Sequence, residues 1–187
     1  LGKGDDTLSF SATSHGSNVI DMGTNTTTTA SEDGDLLSVG GVITGNTVID
    51  LSSTTDQITT MNGAANSAVQ KGIESVNLDS ATVASGTVTI TGSSAVNHIT
   101  GSAGADVITG GEGADQINGK EGSNTIVLTE TTAAIDAVTY GGGVDTITDD
   151  GGVDRIWITN FQPTLNPFDQ YKEMLSIDSD GTLTMKW

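Results

Sequence analysis

A nine-residue repeat between Gly92 and Val127 constrains the fold of this chain more than any other feature. Three positions recur in each repeat: glycine, an Asp or Asn five places later, and isoleucine seven places after the glycine. They are Gly92, Gly101, Gly110 and Gly119; Asn97, Asp106, Asp115 and Asn124; and Ile99, Ile108, Ile117 and Ile126. Glycine at this frequency opposes a helix, whereas a coil of glycine turns and short strands has such a period. The repeat therefore predicts stacked turns with an inward column of isoleucines.

The third repeat unit carries the most specific pattern. Residues 110–118 read GGEGADQIN and fit G-G-x-G-x-D-x-U-x, the calcium-binding nonapeptide of a parallel β-roll. On these residues the chain resembles the RTX family of secreted proteins, whose β-rolls carry calcium. The resemblance covers about a fifth of the chain. It implies an all-β fold, a right-handed parallel β-roll or β-solenoid, with Ca²⁺ as cofactor. The alternative is a glycine-rich solenoid that uses Asp and Asn only as turn formers.

The RTX resemblance also implies which residues share an ion. One full coil of an RTX roll takes two nonapeptides, so that turns on one side repeat every eighteen residues. Asn97 would then share an ion with Asp115, and Asp106 with Asn124. Calcium takes roughly six to eight oxygens, which carboxylates and backbone carbonyls of neighbouring turns would supply. Each pair holds only one carboxylate, so we expect two sites at most. The predicted metal positions in the turns are Gly101, Ala103, Gly110 and Glu112.

Two flanking segments carry weaker versions of the pattern. Residues 1–9 match the nonapeptide once and make Asp6 a candidate ligand, although a simple turn explains them equally well. After Val127 a second nine-residue register begins, and its candidate ligands are Asp136, Asp145 and Asp154. Calcium binding and a plain β-turn role both remain open there. The predicted division is an irregular β-rich region over 1–91, the nonapeptide roll over 92–127, and a continued roll with its cap over 128–187.

The remaining segments predict short strands and one helix. From Phe10 to Gly92 brief β-branched runs alternate with polar turns. Asn62 to Lys71 is the one predicted helix, ending at Gly72. The order of strand, alanine-rich link and strand in this region resembles repeats of bacterial surface-layer proteins and large secreted adhesins. Leu175 to Met185 predicts a hairpin around Asp180 and Gly181, within a C-terminal cap.

The composition narrows the range of functions. The formal net charge is −18, with 24 acidic residues against six Lys and Arg, so the surface repels nucleic acid and anionic lipid. The chain has no cysteine and no apolar stretch of about 18 residues, so neither disulfides nor a membrane span is predicted. The chain starts at Leu1 without a signal peptide and ends at Trp187, and we expect both ends to be either cuts in a longer protein or processing sites.

No catalytic constellation is visible, and we predict that the chain is not an enzyme. His15 and His98 are the only histidines, and neither has a metal-binding or catalytic spacing. We expect a calcium-stabilised structural protein, secreted to the bacterial cell surface, that forms a homo-oligomer, lattice or filament. The alternative is a calcium-binding accessory module of a type I-secreted enzyme or adhesin, with a cell-surface glycan as candidate partner. Thr91, Thr100 and Thr109 leave ice binding as a minor alternative.

Overall fold

The structure, a computed structural model, describes residues 4–12, 19–23, 34–131, 134–142, 144–149, 155–158, 175–177 and 183–186. These residues form strands and turns and no helix, which confirms the all-β class. The strands are β1 (Thr7–Ser11), β2 (Ile20–Asp21), β3 (Leu36–Ile43), β4 (Thr47–Asp50), β5 (Ile58–Met61), β6 (Ala64–Ala65), β7 (Gln70–Lys71), β8 (Ser75–Asn77), β9 (Ala81–Val83), β10 (Val88–Thr91), β11 (His98–Thr100), β12 (Asp106–Thr109), β13 (Gln116–Lys120), β14 (Thr125–Leu128), β15 (Ala137–Tyr140), β16 (Val144–Asp149), β17 (Arg155–Ile158), β18 (Leu175–Ile177) and β19 (Leu183–Lys186).

The strands of the repeat alternate between two parallel stacks. The first sheet runs β1-β3-β8-β11-β13-β15-β17, and β9 also pairs with β3. The second sheet runs β18-β19-β16-β14-β12-β10-β4-β5-β6. Ile99 lies opposite Ile117 in the first sheet, and Ile108 lies opposite Ile126 in the second. Each offset is eighteen residues, so one coil takes two nonapeptides.

The isoleucines of the repeat form the predicted core. Ile99, Ile108, Ile117 and Ile126 are at most 1% exposed and belong to one buried apolar cluster. Their single column in the sequence becomes two columns, one on each sheet. The threonines that follow them divide in the same way, since Thr91 and Thr109 lie in the second sheet and Thr100 in the first. The threonines therefore form no single outward column of the kind that ice binding would use.

The stacking continues past the nonapeptide block with a longer coil. Gln116 pairs with Ala137 and Thr125 pairs with Thr146, an offset of 21 residues in both sheets. The three added residues fall in the segment between β14 and β15. The strand pairing therefore continues across the break in the sequence period after Val127, with a register shift between Asn118 and Lys120 at the end of β13.

The helix predicted over residues 62–71 is wrong. Asn62 and Gly63 have φ values of 54° and 78°, which a right-handed helix excludes. Two short strands, β6 and β7, occupy the segment and pair with β5 and β2. Pairing with these strands thus overrides the local preference of the alanine-rich segment for a helix.

At the C-terminal end, β18 and β19 pair antiparallel, and β19 pairs antiparallel with β16. These are the two arms that the sequence predicts for a hairpin; its turn lies outside the described residues. Among the residues described, no helix offers the long apolar stretch that crosses a membrane.

Candidate metal centre

Polar residues at the starts of successive strands form two columns along the stack. The strand register aligns the members of each column. Column one, beside the first sheet, contains Asp6, Asp35, Glu74, Asn97, Asp115 and Asp136. Column two, beside the second sheet, contains Asp106, Asn124 and Asp145. Two of the six members of column one, Asp35 and Glu74, were not predicted from the sequence.

Within each column, a backbone N–H of one coil donates to a side-chain oxygen of the next. The N–H of Asn97 donates to Asp115 Oδ1 at 2.8 Å, and that of Asp115 donates to Asp136 Oδ1 at 2.7 Å. In column two the N–H of Asp106 donates to Asn124 Oδ1 at 3.0 Å. The N–H of Asn124 donates to Asp145 Oδ1 at 2.8 Å. The pairs expected to share an ion, Asn97 with Asp115 and Asp106 with Asn124, are therefore direct neighbours.

In the first two repeat units, a serine at the second position supplies donors to the column residue. The N–H and Oγ of Ser93 both donate to Asn97 Oδ1, at 2.7 and 3.2 Å. The N–H of Ser102 donates to Asp106 Oδ2 and its Oγ donates to Asp106 Oδ1, each at 2.8 Å. Both oxygens of the buried Asp106 carboxylate thus have hydrogen-bond donors within the protein.

The third unit, which fits the nonapeptide pattern best, lacks this serine. Gly111 stands at the second position, and Asp115 Oδ2 is buried with no hydrogen-bond partner. A Cβ placed on Gly110 would lie 3.1 Å from Asp115 Oδ2 and 3.3 Å from Asp136 Oδ2. Carboxylate oxygens from two adjacent coils therefore border the same space. A buried carboxylate oxygen without a donor is costly, and this arrangement fits a hard divalent cation.

Burial alters the protonation of these carboxyl groups. It raises the pKa of Asp115 to about 7, although the N–H of Asn97 opposes the shift. Burial raises the pKa of Asp106 to about 6, against the donors of Ser102, and it also raises the pKa of Asp145. Without a counter-ion the interior thus favours the neutral acids, and a bound divalent cation would favour the carboxylates.

The other predicted positions differ in their surroundings. Gly101 has no room for a side chain, because a Cβ there would lie 2.5 Å from Asp106 Oδ2. The side chain of Ala103 is exposed. Glu112 Oε1 accepts the N–H of Thr131 at 3.1 Å. Asp154 lies outside the described residues, and the roles of all these residues as ligands stay predictions.

Side chains alone do not complete a site in the described part of the chain. There, no three His, Cys, Asp or Glu side chains converge as a metal would require. The carboxylates of Asp115 and Asp136 would therefore need backbone carbonyl oxygens to fill a calcium coordination shell. Carbonyl ligation of this kind suits glycine turns that stack closely.

Asp35 and Glu74 escaped prediction because their offsets from the preceding column residues, 29 and 39 residues, follow no nine-residue period. A weaker signal was present in the sequence. Each of these acidic residues immediately precedes a short β-rich run.

Comparison with known proteins supports the same interpretation of the repeat. Residues 91–126 match the family model of the RTX calcium-binding nonapeptide repeat, in four copies. No curated protein and no solved structure matches the chain. Proteins with such repeats are typically secreted and extracellular. Residues 91–126 are thus similar to RTX calcium-binding nonapeptide repeats, and Ca²⁺ is the ion that such repeats bind.

Proposed function

We propose that the chain is a calcium-stabilised structural segment that self-assembles in a bacterial surface layer, filament or extracellular matrix. It is exported by type I secretion, folds as a right-handed roll, and is capped at its C-terminal end by residues 155–187. One observation carries the proposal: within an RTX-type repeat, Oδ2 of the buried Asp115 carboxylate has no hydrogen-bond donor and borders the same space as Asp136 Oδ2.

The energetics favour calcium as the agent of folding. The net charge of −18 opposes a compact state, and the structure has a thin aliphatic core. At about 100-fold excess over its dissociation constant, an ion bound only by the folded form adds about 2.7 kcal/mol. Two such ions would supply a large share of the roughly 5–15 kcal/mol that stabilises a domain. The segment would stay unfolded where calcium is scarce and fold after export.

The edges of the first sheet support self-assembly. Among the described strands, β1 pairs only with β3 and β17 pairs only with β15. A parallel edge presents unpaired N–H and C=O groups that another chain can extend. End-to-end stacking of coils would satisfy those groups and lengthen the sheet.

The test combines circular dichroism and electron microscopy. In EGTA we expect mostly coil, and in millimolar calcium we expect β-structure together with filaments or lattices. Asp115→Asn should raise the calcium concentration that half-converts the spectrum by at least tenfold, whereas Asp79→Asn, at an exposed turn, should leave it unchanged. A β-spectrum that persists in EGTA would contradict calcium-driven folding. Calcium-dependent folding without filaments or lattices would contradict the proposed self-assembly but not the calcium-driven folding.

The alternative is a calcium-binding accessory module of a type I-secreted enzyme or adhesin. A groove of about 530 Å³ on the outer face of the first sheet favours the adhesin. Its polar lining includes Asn77, Thr100, Gln116, Asn118 and Thr139, whose amides and hydroxyls suit an uncharged sugar. We propose no catalytic activity for the chain itself. Binding on a glycan array would support the adhesin module. Activity on casein or alginate would support the enzyme module.

A further inference from the structure

Column one extends upstream of the matched repeat through Asp6, Asp35 and Glu74. The register pairs Thr7 with Leu36 and Leu36 with Ser75, and the three acidic residues immediately precede those positions. Column two differs in its earlier coils, where Val88 and Thr47 occupy the positions equivalent to Asp106. Of the two columns, therefore, only column one has acidic members among the described residues of the N-terminal coils.

Asp35 is the most enclosed residue of this group. It is 0% exposed, and its Oδ1 accepts the N–H of Asp6 at 2.8 Å. Its own N–H donates to Glu74 Oε2 at 3.1 Å, and its carbonyl oxygen accepts the N–H of Glu74 at 2.9 Å. These bonds hold the Asp35 and Glu74 backbones side by side and bring the Glu74 carboxylate to Asp35.

The second carboxylate oxygen of Asp35 has no donor. Asp35 Oδ2 is buried without a hydrogen-bond partner. Burial raises the pKa of Asp35, and the negative charge of Glu74 raises it further. Lys71 and Lys120, the lysines whose side chains the structure describes, form ion pairs elsewhere, with Asp21 and Asp79. An enclosed carboxylate oxygen beside a second carboxylate is the environment that a hard cation stabilises.

We propose that Asp35 and Glu74 hold a divalent cation of the calcium class at the N-terminal end of column one. Two carboxylates contribute, and backbone carbonyl oxygens complete the shell. The proposed site lies outside residues 91–126, which match the repeat family. It is independent of the self-assembly proposed above, because the ion would be bound within one chain.

The experiment counts bound calcium in the full chain by equilibrium dialysis with ⁴⁵Ca at millimolar free calcium. Asp35→Asn keeps an oxygen for the N–H of Asp6 and removes the charge, and it should lose one ion per chain. Glu74→Gln keeps the acceptor for the N–H of Asp35 and should show the same loss or at least tenfold weaker binding. Asp79→Asn removes an equal charge at an exposed turn and should lose none.

The Asp115→Asn variant separates this site from the repeat. Asp35→Asn and Asp115→Asn should each lose one ion, and the double variant should lose two. An unchanged count in Asp35→Asn and Glu74→Gln would overturn the proposal, since Asp35 would then be a buried protonated acid. Circular dichroism in calcium checks that each variant folds; if Asp35→Asn does not, the count of Glu74→Gln decides.

Discussion

At the scale of single residues, Ser102 and Gly111 occupy the same place in successive repeat units. Ser102 donates twice to the carboxylate of Asp106, whereas Gly111 has no side chain and Asp115 Oδ2 has no partner. The N–H and the hydroxyl of Ser102 together supply donors to both oxygens of Asp106, whereas a cation would have to stabilise Asp115 Oδ2. We expect serine at this position to mark hydrogen-bonded turns and glycine to mark turns that bind an ion.

Ser102→Ala tests this division. The change leaves Asp106 Oδ1 buried without its donor, which should lower the free energy of unfolding by about 1–3 kcal/mol. The measurement is urea unfolding at saturating calcium. Ser94→Ala, at an exposed position of the neighbouring turn, is the matched control. Equal stability of the two variants would mean that an ion already occupies Asp106.

The pKa of Asp115 is raised to about 7 and that of Asp106 to about 6. These shifts determine whether the metal-free fold gains or loses stability as pH rises. An unfolded Asp titrates near 3.9, so the folded state binds more protons between about pH 4 and pH 7. These groups therefore stabilise the metal-free fold below about pH 4, and this stability is lost as pH rises through 6 to 7.

We expect metal-free protein to have more β-structure and a higher Tm at pH 5 than at pH 8. The measurement is thermal circular dichroism in chelator-treated buffer. Calcium, which requires the carboxylates, should reduce or reverse the trend. Asp115→Asn should reduce the metal-free pH dependence without abolishing it, because Asp106 still titrates with a raised pKa. An equally steep dependence in that variant would assign the effect to other groups.

At the scale of elements, the glycine turns determine how closely the coils stack. A Cβ on Gly92 would lie 1.7 Å from the carbonyl oxygen of Gly110 in the next coil. No rotamer relieves such an overlap, because the neighbouring atom belongs to the backbone. Glycine at this repeat position is therefore a requirement of the close stacking between coils.

Gly92→Ala should accordingly destabilise the calcium-bound protein by more than about 3 kcal/mol. Gly40 in β3 provides the control, because a Cβ there would make only ordinary contacts, the nearest at 3.6 Å. Gly40→Ala should change stability by less than about 0.5 kcal/mol. Urea unfolding in calcium measures both variants. A small effect at Gly92 would show that the coils can separate without loss of stability.

At the scale of the whole molecule, we expect the net charge of −18 and the thin core together to make compaction depend on cations. An unfolded chain of this length has a radius of gyration of about 46 Å. We expect that value in chelator at neutral pH and a value below about 30 Å for the calcium-bound monomer, separated from assemblies by gel filtration. Small-angle X-ray scattering measures the change, with magnesium at equal concentration as the ionic-strength control. The same radius in chelator and in calcium would contradict the expectation.

The local part of this architecture could be predicted from the sequence. Glycine turns, inward isoleucines and Asp or Asn at the turn depend on preferences that act within nine residues, so the period at Ile99, Ile108 and Ile117 shows them directly. The eighteen-residue pairing followed from the resemblance to RTX rolls. The prediction of a helix at residues 62–71 was wrong because this segment forms β6 and β7. These strands pair with β5 and β2, and only the folded chain brings those partners together.

The tertiary structure alone decided which residues join the columns from a distance. Asp35 and Glu74 reach column one through offsets of 29 and 39 residues, and the coil after Leu128 lengthens to 21 residues without losing register. Intervening loops of unequal length carry no period, so only the strand pairing shows which acidic residues become neighbours. The sequence determined the repeating unit because the preferences of its residues act locally. The fold determined the full membership of column one because the contacts along that column join residues that are distant in sequence.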